Sequence, residues 1–299
     1  MPLQLFQGLS AFPLTPVNAD GQIDLDRLGQ MLERLVKAGV DSIGLLGSTG
    51  TYAYLSHAER SQVLATAVET VGGRVPLIVG VGALRTDWAQ QFARDAEKAG
   101  ADGLLLAPVS YAPLTEAEVA LHFEAVAGAT ALPLCIYNNP GTTHFAFTEA
   151  LLARISALKN VAAVKMPAPA DGDFKAELSR LQSACVPDFA IGYSGDWHAA
   201  PALLAGAKAW YSVVAGLLPV PALQLTRAAQ SGDTAATAVR DAAFEPLWAL
   251  FRQYSSLRVM YAIAEELGLP AGLPPAPLKP IPSEAREAVA QALEGLRKI

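Results

Sequence analysis

Eight short apolar runs recur along this 299-residue chain, and no other feature narrows its fold so far. They are Leu9–Leu14, Ser42–Leu46, Pro76–Val81, Gly103–Ala107, Leu132–Tyr137, Val161–Lys165, Phe189–Tyr193 and Ala209–Val214, with starts roughly 20 to 35 residues apart. Each is too short for a core helix and most lack polar alternation, the pattern of parallel strands buried on both faces. The intervals between them are helix-like. Asp24–Lys37 is amphipathic and is followed by Gly39, a C-terminal stop. Ser56 caps the stretch that follows it, Thr86–Lys98 stops at Gly100, and Thr115–Ala127 stops at Gly128. Strand and helix in alternation predict a parallel sheet with right-handed crossovers. Eight such units in about 215 residues suit a closed (β/α)₈ TIM barrel better than an open doubly wound sheet.

After Val214 the strand pattern stops. Val220–Gln230, Asp233–Tyr254 and Ser256–Leu267 predict three helices, followed by a proline-rich run, Leu269–Pro282, and a last helix, Ser283–Lys298. The organisation expected is a barrel over residues 1–215 that carries the active site, with a helical region over 216–299 packed on it. A length of 299 would allow two ordinary domains, but α/β barrels of about 250 residues fold as one, and 52% hydrophobic residues supply a large core.

Composition excludes some partners. The net charge is −6 and no basic run is present, which argues against nucleic acid and anionic membrane surfaces. The segment MPLQLFQGLSAFPLTP has neither a basic start nor a long apolar stretch, so a cytoplasmic protein without signal peptide or membrane span is expected. Cys135 and Cys185 stand fifty residues apart with no CxxC pair, and are read as small buried hydrophobes in a reducing compartment. His57, His122, His144 and His198 show no metal-ligand spacing.

In a TIM barrel the chemistry sits at the C-terminal ends of the strands. After the second run stands Gly47-Ser48-Thr49-Gly50-Thr51, whose glycines and hydroxyls suit a carboxylate cradle but equally an ordinary Gly/Ser turn. The fifth run ends at Tyr137, a proton relay or a buried structural tyrosine. The sixth ends in Val164-Lys165-Met166-Pro167. A lysine closing an apolar strand is unusual, because burying its charge is costly. It follows Tyr137 by 28 residues, one βα unit, so the two occupy adjacent strand ends. A lysine attacks a carbonyl only as the neutral amine, of which about 0.1% is present at neutral pH for an ordinary pKa near 10.4. Desolvation favours that form; the alternative is a lysine that snorkels outward. Gly80-Val81-Gly82 reads as a strand-end turn, and Asp196 as a helix cap rather than a site residue.

These residues resemble one known family. Gly8, Phe12, Thr15 and Pro16, then Gly47-Ser48-Thr49-Gly50 followed by Leu55-Ser56, Tyr137-Asn138-x-Pro140, Lys165, Ser194-Gly195-Asp196, and Pro274-Pro275-x-Pro277-Leu278 recur in this order. The order is similar to that of the dihydrodipicolinate synthase/N-acetylneuraminate lyase family of class I aldolases. The resemblance implies that Lys165 forms a Schiff base with a 2-oxo acid, that Tyr137 shuttles protons, and that Ser48 and Thr49 hold the carboxylate, with Gly50 beside them. It implies that Tyr111 reaches a neighbouring subunit's site in a homo-oligomer, a dimer or tetramer, and that no cofactor is needed. Thr142 and Tyr211 complete the candidate substrate-binding set. The reaction implied is C–C cleavage or formation on pyruvate or a 4-hydroxy-2-oxo acid. Two alternatives share the fold: a sugar-acid dehydratase, and a non-catalytic 2-oxo acid binding protein.

The chain also departs from the family pattern. Thr51 stands where a glutamate is usual. Thr142 stands where the synthase has the arginine that would bind its second substrate's carboxylate. The Pro108–His122 segment is one residue longer than usual, and Met166-Pro167-Ala168-Pro169 replaces small polar residues. Little synthase activity is therefore expected, and a smaller or less hydroxylated 2-oxo acid is favoured. Arg85, after the third run, is the residue placed to supply the missing charge.

Overall fold

The computed structural model describes residues 5–297. Eight parallel strands close in sequence order into a barrel: β1 (Gly8–Ala11), β2 (Ser42–Leu45), β3 (Leu77–Gly80), β4 (Gly103–Leu106), β5 (Leu134–Tyr137), β6 (Val161–Met166), β7 (Ala190–Tyr193) and β8 (Ala209–Ser212). Strand β8 returns to β1 with Gly8 opposite Ala209 and Ser10 opposite Tyr211. All eight strands lie within the apolar runs or one residue outside them.

The runs hide a period of two. Leu9, Ile43, Leu45, Leu77, Val79, Leu104, Leu134, Val164 and Ile191 point outward into the helix layer. The inward set is mostly small: Cys135, Ala163, Ala190 and Ala209, with the rings of Phe12, Tyr137 and Tyr211 filling the space they leave. Gly44 and Gly47 are the glycines this packing demands. A Cβ on either would lie 2.3 or 2.5 Å from the Phe12 ring.

The helices begin where the caps predict. Helix α1 (Leu25–Ala38) starts on the Asp24 side chain, which accepts from the Arg27 amide, and stops at Gly39. Capping boxes open α2 (His57–Val71) with Ser56 and Glu59, and α4 (Glu116–Ala127) with Thr115 and Glu118. Between them α3 (Thr86–Ala99) stops at Gly100. Four further helices follow: α6 (Glu149–Ser156) and α7 (Phe174–Ala184), and α5 (Pro140–Thr143) and α8 (Ala199–Leu204), which carry fewer than two turns and show no stripe in sequence.

Helix α9 (Pro219–Gln230) packs against β1 and beside α1, so it takes the eighth outer position. The barrel layer thus runs past residue 215, and the helical extension proper comprises α10 (Thr234–Tyr254), α11 (Ser256–Glu266) and α12 (Ser283–Leu296). Helix α10 packs on α8, α9 and α12. Lys298, the expected end of the last helix, lies outside the described residues. The proline-rich segment runs back toward the barrel mouth, where the Val17 amide donates to the Ala271 carbonyl at 3.0 Å. No helix among the described residues is long and apolar enough to cross a membrane.

Candidate active site

Strand register explains why one lysine and one tyrosine meet. Tyr137 on β5 is the direct partner of Lys165 on β6, and Lys165 in turn faces Gly192 on β7. Both side chains point into the barrel at its C-terminal mouth, because inward Ala163 sets the parity of β6. Lys165 is only 4% exposed. Its Nζ lies 4.2 Å from the centroids of the Phe12 and Tyr137 rings and 5.8 Å from that of Tyr211. Among the described residues no carboxylate comes within salt-bridge distance of it. A primary amine boxed in by rings, with no carboxylate in salt-bridge contact, is a setting that suits a Schiff-base lysine.

The turn after β2 lies beside this box. Thr51 donates its amide to the Ser48 carbonyl at 3.1 Å, and Thr15 Oγ1 donates to the Gly50 carbonyl at 2.8 Å. Two non-glycine residues, Leu46 and Thr51, bracket the turn in left-handed backbone, at φ 54° and 53°. Such strain persists only where surrounding structure enforces it, and clusters at functional sites. Gly80 on β3 makes room for the turn: a Cβ there would come 1.9 Å from the Leu46 carbonyl oxygen. Among the described residues the amides of Ser48 and Thr49 donate to no protein acceptor. They and the two hydroxyls form a set of donors suited to a carboxylate. Ser48 Oγ stands 3.4 Å from Tyr137 Oη, which links this turn to the lysine.

Of the residues expected at the site, Lys165, Tyr137, Ser48, Thr49 and Gly50 come together. The others lie beneath this cluster or outside it. Tyr211 forms the floor of the barrel beneath the lysine at 1% exposure, with its hydroxyl 3.4 Å from Cys135 Sγ, and burial pushes that hydroxyl's pKa well up. Thr142 is exposed on α5, where its amide and hydroxyl turn back to the Asn139 carbonyl. Tyr111 stands in solvent at 98% exposure on the β4–α4 loop. Arg85, exposed at the start of α3, is tied by two hydrogen bonds to Asp87 in the first turn of that helix. Met166 faces the helix layer, opposite in parity to Lys165, so only Pro167–Pro169 of the apolar segment remain near the mouth.

Asp196 corrects the expectation of a cap on its own helix. It is fully buried, and its carboxylate accepts from Trp210 Nε1 at 2.9 Å and from the Val213 and Val214 amides at 3.1 and 2.7 Å. It therefore ties the end of β7 to the turn after β8. Burial pushes its carboxyl pKa up, and the three donors pull against that. Both cysteines are free and buried, and no group of three or more metal-ligating side chains occurs among the described residues.

Two site residues were assigned no role from sequence. Phe12 supplies one wall of the lysine box, and its signal was the inward parity at the end of the first strand. Asn139 donates its Nδ2 to Tyr137 Oη at 2.8 Å; a second asparagine in a loop carries no pattern that could have marked it.

Fold and site together define a TIM-barrel protein with a buried lysine and tyrosine paired across adjacent strands at the barrel mouth. The chain matches the dihydrodipicolinate synthetase family over residues 5–296. It is 32% identical over 293 residues to the 4-hydroxy-tetrahydrodipicolinate synthase of Methanospirillum hungatei, covering 97% of this chain and 98% of that one. The corresponding enzyme of Moorella thermoacetica is 34% identical over 283 residues, 94% and 95% of the two chains. Among solved structures, dihydrodipicolinate synthase from Agrobacterium tumefaciens superposes with a TM-score of 0.97 at 54% identity, over 99% of this chain and 100% of that one. The chloride-inhibited dihydrodipicolinate synthase from Acinetobacter baumannii, complexed with pyruvate, gives 0.89 at 28% identity, over 98% and 100%. The protein belongs to the dihydrodipicolinate synthetase family and is a lyase of the pyruvate-aldolase type.

Proposed function

We propose that the protein makes or breaks a C–C bond on pyruvate or a short 4-hydroxy-2-oxo acid through an imine at Lys165. The observation that carries this reading is the pairing of Lys165, boxed by Phe12 and Tyr137, with a tyrosine hydroxyl that reaches the Ser48 turn. The amide and hydroxyl donors of Ser48 and Thr49, with Gly50, hold the substrate carboxylate, which places the adjacent C2 carbonyl at the amine. Neutral Lys165 adds to C2. Tyr137 gives a proton to the carbinolamine oxygen, water leaves, and a protonated imine remains. When the C3–C4 bond breaks, its electrons enter the imine to give an enamine. The C4 hydroxyl proton passes to the Tyr137 oxygen and an aldehyde departs. Protonation at C3 and hydrolysis then release pyruvate and the free lysine. The reverse sequence is aldol addition.

A second carboxylate on the substrate finds little support. Thr142 carries no charge, and Arg85 is already paired with Asp87. One charge-assisted hydrogen bond contributes about 1.5–3 kcal/mol, or roughly one to two decades of binding. Aldehydes without a carboxylate, and with few hydroxyls, are therefore the favoured partners. The exposed ring of Tyr111 suits a contact with a second copy of the chain, so the active form is proposed to be a homo-oligomer; one structural relative is described as a monomeric variant.

The test is borohydride reduction in the presence of pyruvate, followed by peptide mass analysis. A single reduced pyruvyl adduct should map to Lys165 and vanish in Lys165→Ala. An adduct at Lys159 or Lys175 overturns the assignment. Steady-state kinetics should then show short 4-hydroxy-2-oxo acids turned over well ahead of condensation with aspartate semialdehyde; efficient condensation, lost in Arg85→Ala, overturns the substrate class.

A further inference from the structure

Asn139 sits where an asparagine ordinarily caps a helix, and it does not do so. It precedes α5, with Pro140 at the first helical position, and its side chain accepts no bond from that helix. An asparagine at this place would normally turn its Oδ1 onto the second or third amide of the helix. The Asn139 main-chain carbonyl still accepts the first bonds of the helix, as a carbonyl at this position ordinarily does. It accepts from the Thr142 and Thr143 amides, both at 3.0 Å, and from Thr143 Oγ1 at 3.0 Å. With a fourth, longer bond from Thr142 Oγ1 at 3.4 Å, these hold the backbone of the residue in place while its amide group reaches back two positions to Tyr137 Oη at 2.8 Å. A local rule broken in favour of a contact at the site is the mark of a functional requirement.

We propose that Asn139 is a positioning residue that holds Tyr137 as a proton donor and supports its oxygen once the proton has left. This rests on the reading of Lys165 and Tyr137 given above. Nδ2 carries only donors, so the phenol oxygen accepts from it. The phenol's own hydrogen is thereby directed away from Asn139, toward Ser48 Oγ at 3.4 Å and, with substrate present, toward the carbinolamine oxygen. A donor bond strengthens when its acceptor becomes charged. Its largest contribution therefore comes at proton transfer, when Tyr137 oxygen is negative, rather than in the resting enzyme. An interaction that grows between ground and transition state raises turnover and leaves substrate binding unchanged. Asn139 touches no reacting atom in this scheme and acts only through Tyr137.

That dependence is the test, made on the full-length protein. Single-turnover imine formation with pyruvate is followed by quenching with borohydride and counting the Lys165 adduct by mass. Asn139→Leu, close to isosteric, and Asn139→Asp, which keeps the shape but removes the donor, should each slow imine formation roughly ten- to hundredfold. The KM for pyruvate should move less than about twofold. The same substitutions in a Tyr137→Phe background should add nothing, since the group they act through is gone. A general packing role predicts the opposite, an additive loss in both backgrounds, and that result overturns the proposal. Imine formation at the parental rate in both Asn139 variants overturns it as well while leaving the lysine chemistry intact. If the parental protein forms no Lys165 adduct, the functional reading and this inference fall together. Circular dichroism and thermal melting check that the variants fold, and Asn139→Ser serves in place of any that does not.

Discussion

Two cations are buried in this barrel, and they have opposite fates. Lys165 and Arg60 are each 4% exposed, each lies against aromatic faces, and neither has a carboxylate within salt-bridge distance among the described residues. Arg60 extends from α2, its guanidinium 4.0 Å from the Phe92 ring centroid and 5.0 Å from that of Tyr52, and donates to the Gly82 carbonyl at 3.0 Å. Burial pushes it down to about 10, which leaves it charged at neutral pH. It can only be held, and what it holds is α2 against the turn after β3. Lys165 Nζ makes no hydrogen bond to the protein among the described residues, and an amine, unlike a guanidinium, can give up its proton and become a nucleophile. Burial alone therefore does not mark a reactive group. The distinction lies in whether the buried base has a neutral form within reach and whether donors or acceptors already occupy it.

Exchanging the two cations should break the comparison most sharply. Lys165→Arg keeps a positive charge but offers no neutral amine. The pyruvate adduct should disappear and turnover should drop on the order of a thousandfold or more. Arg60→Lys keeps charge and most of the stem, and turnover should stay within about threefold. Persistent activity with arginine at 165 would end the distinction. Neutralising each cation gives a smaller effect, read in stability. Arg60→Met loses the bond to Gly82 and the guanidinium stack, about 1–2 kcal/mol, and its melting temperature should fall by a few degrees. Lys165→Met removes a buried amine that no salt bridge or hydrogen bond to the protein holds among the described residues, and its melting temperature should hold or rise. Equal losses from the two methionine variants would show that both cations are structural.

A third buried base sharpens the comparison with the smallest effect. His122 on α4 is buried, with Nδ1 3.0 Å from Thr86 Oγ1, and burial lowers its pKa below the ordinary 6.5. The folded form therefore binds this proton less readily than the unfolded chain. Where only the unfolded chain is protonated, stability rises with pH, so it should be lost as pH falls through about 6.5. A single proton sets the ceiling of this slope at about 1.4 kcal/mol per pH unit. Denaturant titrations from pH 7.5 down to 5 should show this slope in the parent and a flatter one in His122→Gln; identical slopes would remove His122 from the set.

The barrel was legible because its signals are local. Eight runs with helical intervals, Gly39 and Gly100 as stops, and the Ser56–Glu59 and Thr115–Glu118 boxes all act within four residues of themselves. The short helices α5 and α8 were not legible, since fewer than two turns leave no stripe to read. Lys165 and Tyr137 could be placed on adjacent strand ends because one βα unit separates them in a parallel sheet. Met166 could have been assigned outward from the same alternation that turns Lys165 inward. Sequence spacing showed neither that the Tyr211 ring lies beneath the lysine, nor that Arg85 pairs with Asp87.

What the amino-acid order determined by itself is what local signals carry: the strands as short apolar runs, most of the helices by their period of 3.6 residues, their caps, and a lysine at a strand end beside a tyrosine. What tertiary structure alone decided is which side chains meet across the closed sheet. Phe12, directly after β1, and Lys165 on β6 are 153 residues apart, yet Nζ lies 4.2 Å from that ring. Asp196 finds its donors at Trp210, Val213 and Val214, and the Asn139 amide turns away from its helix to Tyr137. The physical reason is that barrel closure is a condition on all eight strands at once. Contacts across it depend on strand stagger, on the small inward residues that leave room for three rings, and on the conformation of each loop. None of these leaves a periodic trace in the neighbouring sequence.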